Sequence, residues 1–249
     1  AGKSQNWFVV GSSLFAASVS SSTLMGHSGE GFISGIAVFN YNVGAIFVII
    51  FVSLFFLPFY IKSGIYTIPE YLGRRFDNRS RKYFSFITII GNVFLDAGAA
   101  LYTGALILKI IFPEIDMMWI IIGMALMAGT YTIIGGLSSA INADMIQSII
   151  LIAGSVLLSI FCFNSVGGWE NFVEHFHDGV WLNLIRPNSD TTVPWFSIFL
   201  SIPILGFYFW GNNQVIVQRV MSAKTVNEGR LGFLFVAFLY VFTLFIFIA

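Results

Sequence analysis

Charge is what this sequence most lacks. Only 10% of its 249 residues are Asp, Glu, Lys or Arg, against roughly 25% in a soluble domain. With 57% hydrophobic residues and a mean hydropathy of +0.86, that scarcity excludes a water-soluble globule and places the chain in lipid. The formal net charge is zero and no basic tract is interleaved with aromatics, which excludes nucleic acid as a partner. A single cysteine, Cys162, excludes an internal disulfide or a cysteine-based metal site and reads as packing. Motifs of chemistry are missing too. There is no glycine-rich phosphate loop, no Ser/His/Asp set with a nucleophile turn and no HExxH, so the chain is not expected to be an enzyme. Ala1 to Ser4 carry no signal-peptide arrangement. An opening without Met and a close inside a hydrophobic run are expected of an internal piece of a longer membrane protein.

What is present is a series of apolar segments near the ~20 residues a spanning helix needs. Seven are marked, over 7–26, 32–60, 83–112, 117–134, 143–163, 195–210 and 229–249. Charge in the connections orients them. Seven crossings put Lys3, Lys62, Arg74, Arg75, Arg79, Arg81, Lys82, Arg219, Lys224 and Arg230 on one face, ten of the twelve basic residues. That face is read as cytoplasmic. The opposite face holds Arg186 and Lys109 against acidic residues such as Glu30, Glu114, Glu170 and Asp190. On the inner side, 64–76 predicts a short surface helix, with Pro69 and Glu70 in its first turn and Arg74 and Arg75 near its end. On the outer side, His175 and His177 form a His-x-His pair without a third ligand, read as ordinary loop histidines rather than a metal site.

Within the first apolar segment, five of the six residues from Ser18 to Thr23 are serine or threonine, Val19 excepted. Two readings compete. Small hydroxyl residues form seams where membrane helices pack closely. Alternatively the helix is broken at mid-membrane, and its freed carbonyls and hydroxyls coordinate a small cation around a cavity. The sixth segment carries a second candidate break, Gly206 to Gln214, with glycines at 206 and 211, four consecutive aromatics and then amides. Interrupted helices in the first and sixth segments are what an inverted repeat of five helices predicts, and they favour the ion site.

Two carboxylates add to this. Asp96 sits inside the third segment, where an ionisable group is costly unless paired or hydrated; its structural alternatives are Lys109 or hydroxyl donors from a neighbouring helix. Asp144 opens the fifth segment, where an ordinary helix cap is the competing reading.

The strings Gly11 to Ala17, Gly64 to Leu72 with Arg75-Phe76, Gly135-Gly136-Leu137, Asp144 to Gln147, Gly167-Gly168, and Gln214 to Arg219 with Ser222 to Lys224 resemble the sodium/solute symporters, especially their sodium/glucose cotransporter branch. That resemblance implies an all-α integral membrane protein with a LeuT-like inverted five-helix repeat. The first repeat would run over about 5–163 and an outer loop over about 164–194. The first two helices of the second repeat would follow over about 195–249. It implies sodium as coupling ion, with carbonyls at Ala16 and Val19 and the hydroxyl of Ser20 holding it, and Asp144 on the inner sodium route or at a second sodium site.

Thr23, Asn42 and Gly206 fall at the family's solute positions with Phe209 as the inner gate, and Ser18 and Asp96 are expected to line the pocket beside them. Thr23, Asn42, Ala45, Gly206 and Phe209 replace the groups that grip hexose in a galactose transporter of the family. Leu95 stands where the sialic acid transporters place an arginine, and Asp96 beside it would repel an acid. The expectation is therefore sodium-coupled symport of a small polar, sugar-like solute, in a multi-pass protein of the plasma or bacterial inner membrane. Partners are solute, sodium and lipid bilayer. Proton-coupled symport through Asp96 and a membrane sensor fused to a signalling domain are the alternatives.

Overall fold

The computed structural model describes residues 3–174 and 181–244; the pair His175 and His177 lies outside them. Helix α1 (Trp7–Ser18) starts where the Asn6 side chain accepts the Val9 N–H at 3.0 Å, a conventional cap. It ends at Val19, and α2 (Ser21–Ser34) begins afresh. A tight turn, Gly35–Phe39, follows. Then α3 (Asn40–Phe51), a wide turn Val52–Phe56 and α4 (Leu57–Ser63) run on as one rod.

The surface helix expected from the sequence is α5 (Ile68–Arg75), capped by Thr67. Next come α6 (Asn78–Ile90), a wide turn Gly91–Ala97 and α7 (Gly98–Ile111). Helix α8 (Met117–Val166) is two helices meeting at Gly136, whose φ of 60° and ψ of −157° suit only glycine. A short α9 (Trp169–Glu174) lies in the outer connection. The sixth segment is α10 (Trp195–Phe199), α11 (Ser201–Gly206) and a wide turn Phe207–Asn212, followed after Asn213 by α12 (Gln214–Val220). The last helix is α13 (Val226–Val241).

No β-strand occurs among the described residues. Among the described residues, four continuous helical stretches are long and apolar enough to cross a membrane, and much of their surface is apolar and exposed, as lipid-facing helices require.

Two expectations need correction. The second apolar segment does not begin at Phe32, because α2 continues through Gly29-Glu30-Gly31 to Ser34 and the chain turns only at Gly35, φ 66°. Polarity there marks a helix wall facing a cavity rather than a loop. The fifth helix likewise starts after Gly136 rather than at 143, so Asp144 lies inside a helix and is no cap.

The core packs α1 against α13 and α8, and α13 against α3, with Val10, Leu14, Phe15, Ile49, Trp210, Phe233 and Val236 all buried. A Cβ on Gly11 would fall 2.8 Å from the Gly232 carbonyl oxygen, so α1 and α13 touch backbone to backbone through small residues.

The two ends of the bundle are tied separately. At the basic end, the Gln5 N–H donates to the Ser222 carbonyl at 3.1 Å and Lys224 N–H to the Gln5 carbonyl at 2.9 Å. The Ile68 N–H there donates to Gln214 Oε1 at 3.1 Å. At the opposite end the loop before α10 folds over the Gly35 turn. Ile36 N–H donates to the Trp181 carbonyl at 2.9 Å, and Arg186 Nη2 to the Ser34 carbonyl at 2.6 Å.

Candidate functional site

The serine cluster opens the first crossing. Val19 takes φ −110° and ψ 80°, and Ser20 is extended with its side chain accepting the Thr23 N–H at 3.3 Å. Ser20 therefore caps a new helix inside the first apolar segment. Ser18 Oγ donates back to the Phe15 carbonyl at 2.8 Å. The carbonyls of Ala16, Ala17 and Val19 have lost the i+4 N–H that a continuous helix would supply, and none accepts a hydrogen bond from the described residues. Unpaired carbonyls at this depth are costly. A hard cation that prefers neutral oxygen donors fits such a set. Ala16 and Val19 border a cavity of about 270 Å³ together with Gln147, Ile150 and Leu151 of α8.

The two readings of the cluster divide between residues. Ser21 is a seam: its Oγ donates to the Ala100 carbonyl at 2.7 Å and lies 2.9 Å from Thr103 Oγ1 on α7. Ser20 stays on the open side, 2.7 Å from Ser22 Oγ and 3.1 Å from Thr23 Oγ1.

A second cavity, about 250 Å³, lies where the two broken crossings face each other. Ser18, Ser20 and Thr23 supply hydroxyls from the first break, and Phe209 and Asn213 come from the second. Asp96 enters from the wide turn Gly91–Ala97, an i→i+5 irregularity of a kind common at functional sites. Asp96 does not pair with Lys109, whose ammonium donates to the Pro113 and Ile115 carbonyls, each at 2.7 Å. The second break falls at Asn213, ψ 122°, whose side chain caps α12 through the Val215 N–H at 2.9 Å. Phe209 packs edge-on to the buried Trp210, ring centroids 5.2 Å apart, which fixes its backbone side while its ring borders the cavity.

Asp144 is buried and answers to neither cap nor open ligand. Its Oδ2 accepts from Arg219 Nε at 2.9 Å and from Ser13 Oγ at 2.8 Å, while Arg219 Nη1 donates to the Val215 carbonyl at 2.8 Å. This ion pair sits between α1, α8 and α12, on the basic side of the central cavity. Removing one partner from such a pair strands a buried charge at a cost of about 3–5 kcal/mol.

Among the remaining expected residues, Asn42 is buried at 5% exposure with its Nδ2 unpartnered among the described residues, and it does not border the central cavity. Gly206 packs against α3, where a Cβ would meet Val48 Cγ2 at 2.9 Å; its neighbours Tyr208 and Phe209 face the cavity instead. Sequence reasoning missed Arg219 as the partner of Asp144, because it was counted only as an inner-loop charge. It missed Gln147, whose signal was its position one helical turn from Asp144.

The sodium:solute symporter family model matches residues 1–249. Among curated relatives, sodium/glucose cotransporter 1 of Oryctolagus cuniculus is 31% identical over 268 residues, covering 99% of this chain and 40% of the relative. The sodium/glucose cotransporter of Vibrio parahaemolyticus is 34% identical over 248 residues, covering 96% of this chain and 46% of the relative. A solved Na⁺-coupled sialic acid symporter, described as substrate-bound and outward-open, superposes with a TM-score of 0.86 at 26% identity, over 99% of this chain and 53% of that one. The chain spans less than half the length of these two curated relatives.

Proposed function

Because the chain belongs to the sodium:solute symporter family, we propose that its function is sodium-coupled symport of a small polar organic solute by alternating access. The fold is all-helical, the LeuT-like inverted five-helix repeat of an integral multi-pass membrane protein, and the family and the matched relatives are transporters rather than enzymes. Within it we read 5–163 as the first repeat, 164–194 as the outer loop and the rest as the start of the second.

The observation that carries the function is the break at Val19–Ser20, which leaves the Ala16 and Val19 carbonyls beside one cavity and the hydroxyls of Ser18, Ser20 and Thr23 beside another. Sodium takes the first set. Ser20, which caps α2 between the two, relays ion binding to the solute side. Gln147 borders the ion cavity and offers a further oxygen. The solute takes hydroxyls and the Asp96 carboxylate, with Phe209 as the inner aromatic wall. Asn42, adjoining Tyr41 on α3, and Gly206, which lets α11 pack close to α3, support that wall from behind. The Asp144–Arg219 pair seals the basic side while the solute side is open, so Asp144 becomes available to an inward-moving sodium only when that pair separates.

A sugar-like solute is supported by the relatives' printed names and by the hydroxyl-rich wall. Against an acid stands Asp96, with no cation beside it among the salt bridges of the described residues. The plasma or bacterial inner membrane is the proposed location, with the basic end cytoplasmic.

The test is uptake of labelled D-glucose and related solutes by the full-length protein in proteoliposomes, with an inward sodium gradient and with none. Sodium-driven accumulation is expected; equal uptake in both removes the coupling. One observation favours a second reading: Asp96 borders the solute cavity, where a proton would neutralise it. A pH gradient replacing sodium as sole driver would select that reading.

A further inference from the structure

Between the apolar stretches Ser21–Ser63 and Asn78–Ile111, the chain leaves the membrane and returns through α5 and the elbow that joins it to α6. Both stretches end where α5 lies, which sets the elbow at the level of the lipid headgroups. The elbow is firmly held. Thr67 caps α5 through the Glu70 N–H at 3.2 Å, Ile68 and Pro69 are buried, and the Tyr71 ring stands edge-on to Phe59 with centroids 5.5 Å apart. A Cβ on Gly73 would fall 3.0 Å from Arg81 Cδ, so the Arg81 stem lies across α5 and packs the two helices together.

The elbow is strongly basic. Lys62, Arg74, Arg75, Arg79, Arg81 and Lys82 fall between positions 62 and 82 against only two acidic residues, Glu70 and Asp77. Both acids are already engaged. Glu70 accepts from Arg74 Nη2 at 2.6 Å and from the Tyr66 N–H at 2.8 Å, with Arg81 adding to the field around it. Asp77 accepts the Ser80 N–H at 2.7 Å as the cap of α6. Among the described residues, Lys62, Arg75, Arg79, Arg81 and Lys82 are exposed and belong to no ion pair. The last three stand at the amino end of α6, whose first turn holds no acidic residue. Cations there oppose the helix dipole, so they do not serve α6 itself. Phe76 and Tyr83 are exposed aromatics on the same elbow, and the Arg75 guanidinium lies 5.8 Å from the Phe76 ring centre.

We infer that the α5–α6 elbow binds the phosphate headgroups of anionic lipids in the leaflet at the basic end. Clustered cations immediately beside a spanning helix attract anionic headgroups, and guanidinium groups take phosphate oxygens in bidentate fashion. The aromatics favour lipid over a soluble anion. Tyr83 suits the membrane interface, and Phe76 can bury its ring beneath the phosphates while Arg75 and Arg79 remain among them. Topology by charge count needs only the number of basic residues on one face. This elbow adds a rigid arrangement of cations around an apolar anchor, and that makes the binding local. The assignment rests on membrane insertion alone and is independent of sodium coupling.

The test is binding of a short-chain fluorescent phosphatidylglycerol to the purified full-length protein in neutral detergent, read by fluorescence anisotropy. The equally labelled phosphatidylcholine is the control. Saturable binding of phosphatidylglycerol is expected, about tenfold tighter than that of phosphatidylcholine. Arg79→Gln combined with Lys82→Gln weakens it about tenfold, as loss of two cations near the headgroups would. Lys3→Gln combined with Lys224→Gln removes the same charge from exposed positions at the same end but outside the elbow, and leaves binding within about twofold. Phe76→Ser keeps every charge and weakens binding several-fold. Equal affinity for the two lipids, or equal losses in the two charge-matched pairs, overturns the proposal. So does displacement at equal concentration by glycerol 3-phosphate, which would mark a soluble anion, or by polyglutamate, which would mark an acidic protein partner.

Discussion

The two ends of the central cavity are built on opposite principles. The inner end is closed by charge: Asp144, Arg219 and Ser13 lock α1, α8 and α12 together, and the backbones of Gln5, Ser222 and Lys224 lace the termini of the helices beneath. The outer end is lined by polar side chains, Ser22, Thr23, His27, Glu30 and Thr192, around a cavity of about 420 Å³. A buried ion pair holds an all-or-none geometry, whereas a solvated wall of hydroxyls tolerates occupancy and vacancy alike. Under the proposed alternating access, the pair below would separate and the wall above would close, with the carbonyls at the first break between the two.

Breaking the lower lock should have the largest effect. Asp144→Asn leaves the Arg219 guanidinium buried without its counter-charge, and a loss of about 3–5 kcal/mol is expected. Thermal unfolding of the full-length protein in detergent reads this directly, and inner-side cysteine labelling near Val217 should rise with it. The paired exchange Asp144→Arg with Arg219→Asp should recover part of the loss. An unshifted melting temperature in the single variant would mean that the pair locks nothing.

Phe209→Ala comes next. The ring borders the cavity while Trp210 beside it is buried, so the truncation opens the inner wall without collapsing the core. Solute trapped in proteoliposomes should leak several-fold faster, and unchanged retention would remove Phe209 from the gate.

Ser20→Ala is smaller. Loss of an N-cap costs about 1 kcal/mol, roughly a fivefold weakening if it falls on the ion-bound state. Apparent sodium affinity, measured from the sodium dependence of uptake, should drop while folding survives. A sodium affinity equal to wild type would assign the relay to another hydroxyl.

How much of this was legible beforehand follows from which residues signal themselves. A run of hydroxyls inside an apolar crossing announces a break, because each hydroxyl competes for backbone groups; the opening at Val19–Ser20 and the restart at Ser20 follow that logic. The second break was legible to within a few residues, since Asn213 caps α12 just beyond Gly211. The cap reading that competed for Asp144 fails because the helix start is set upstream at Gly136, while the polar residues Ser138, Ser139 and Asn142 between them read as a loop. Its partner Arg219 was illegible for another reason. Charges near helix ends read as topology signals, and only three-dimensional packing tells a buried one from a solvated one. Glu30 fell between the apolar segments 7–26 and 32–60 and so read as part of an outer loop, yet α2 carries it within a helix, with Gly29 exposed and Gly31 buried.

The smallest expected effect sharpens the upper half of the comparison. Backbone N–H groups of Thr192 first, then Val193, hold the Asp190 carboxyl below the usual aspartate range. A depressed carboxyl stabilises the fold above its unfolded pKa and loses that contribution as pH falls through the folded value. The loop 186–194 should therefore loosen only in acid, below the ordinary aspartate range. Hydrogen exchange of the loop, followed from neutral pH downward and compared with an Asp190→Asn variant, would show this; loosening at the same pH in the variant would refute it.

The opening in the first crossing is tested most directly by hydrogen exchange at the amides of residues 16–24, in the full-length protein equilibrated in sodium and in potassium. Carbonyls that bind sodium should slow exchange across Val19 to Leu24 in sodium alone, and more so when a transported solute is added. Identical exchange in the two salts would contradict an ion seat at this break.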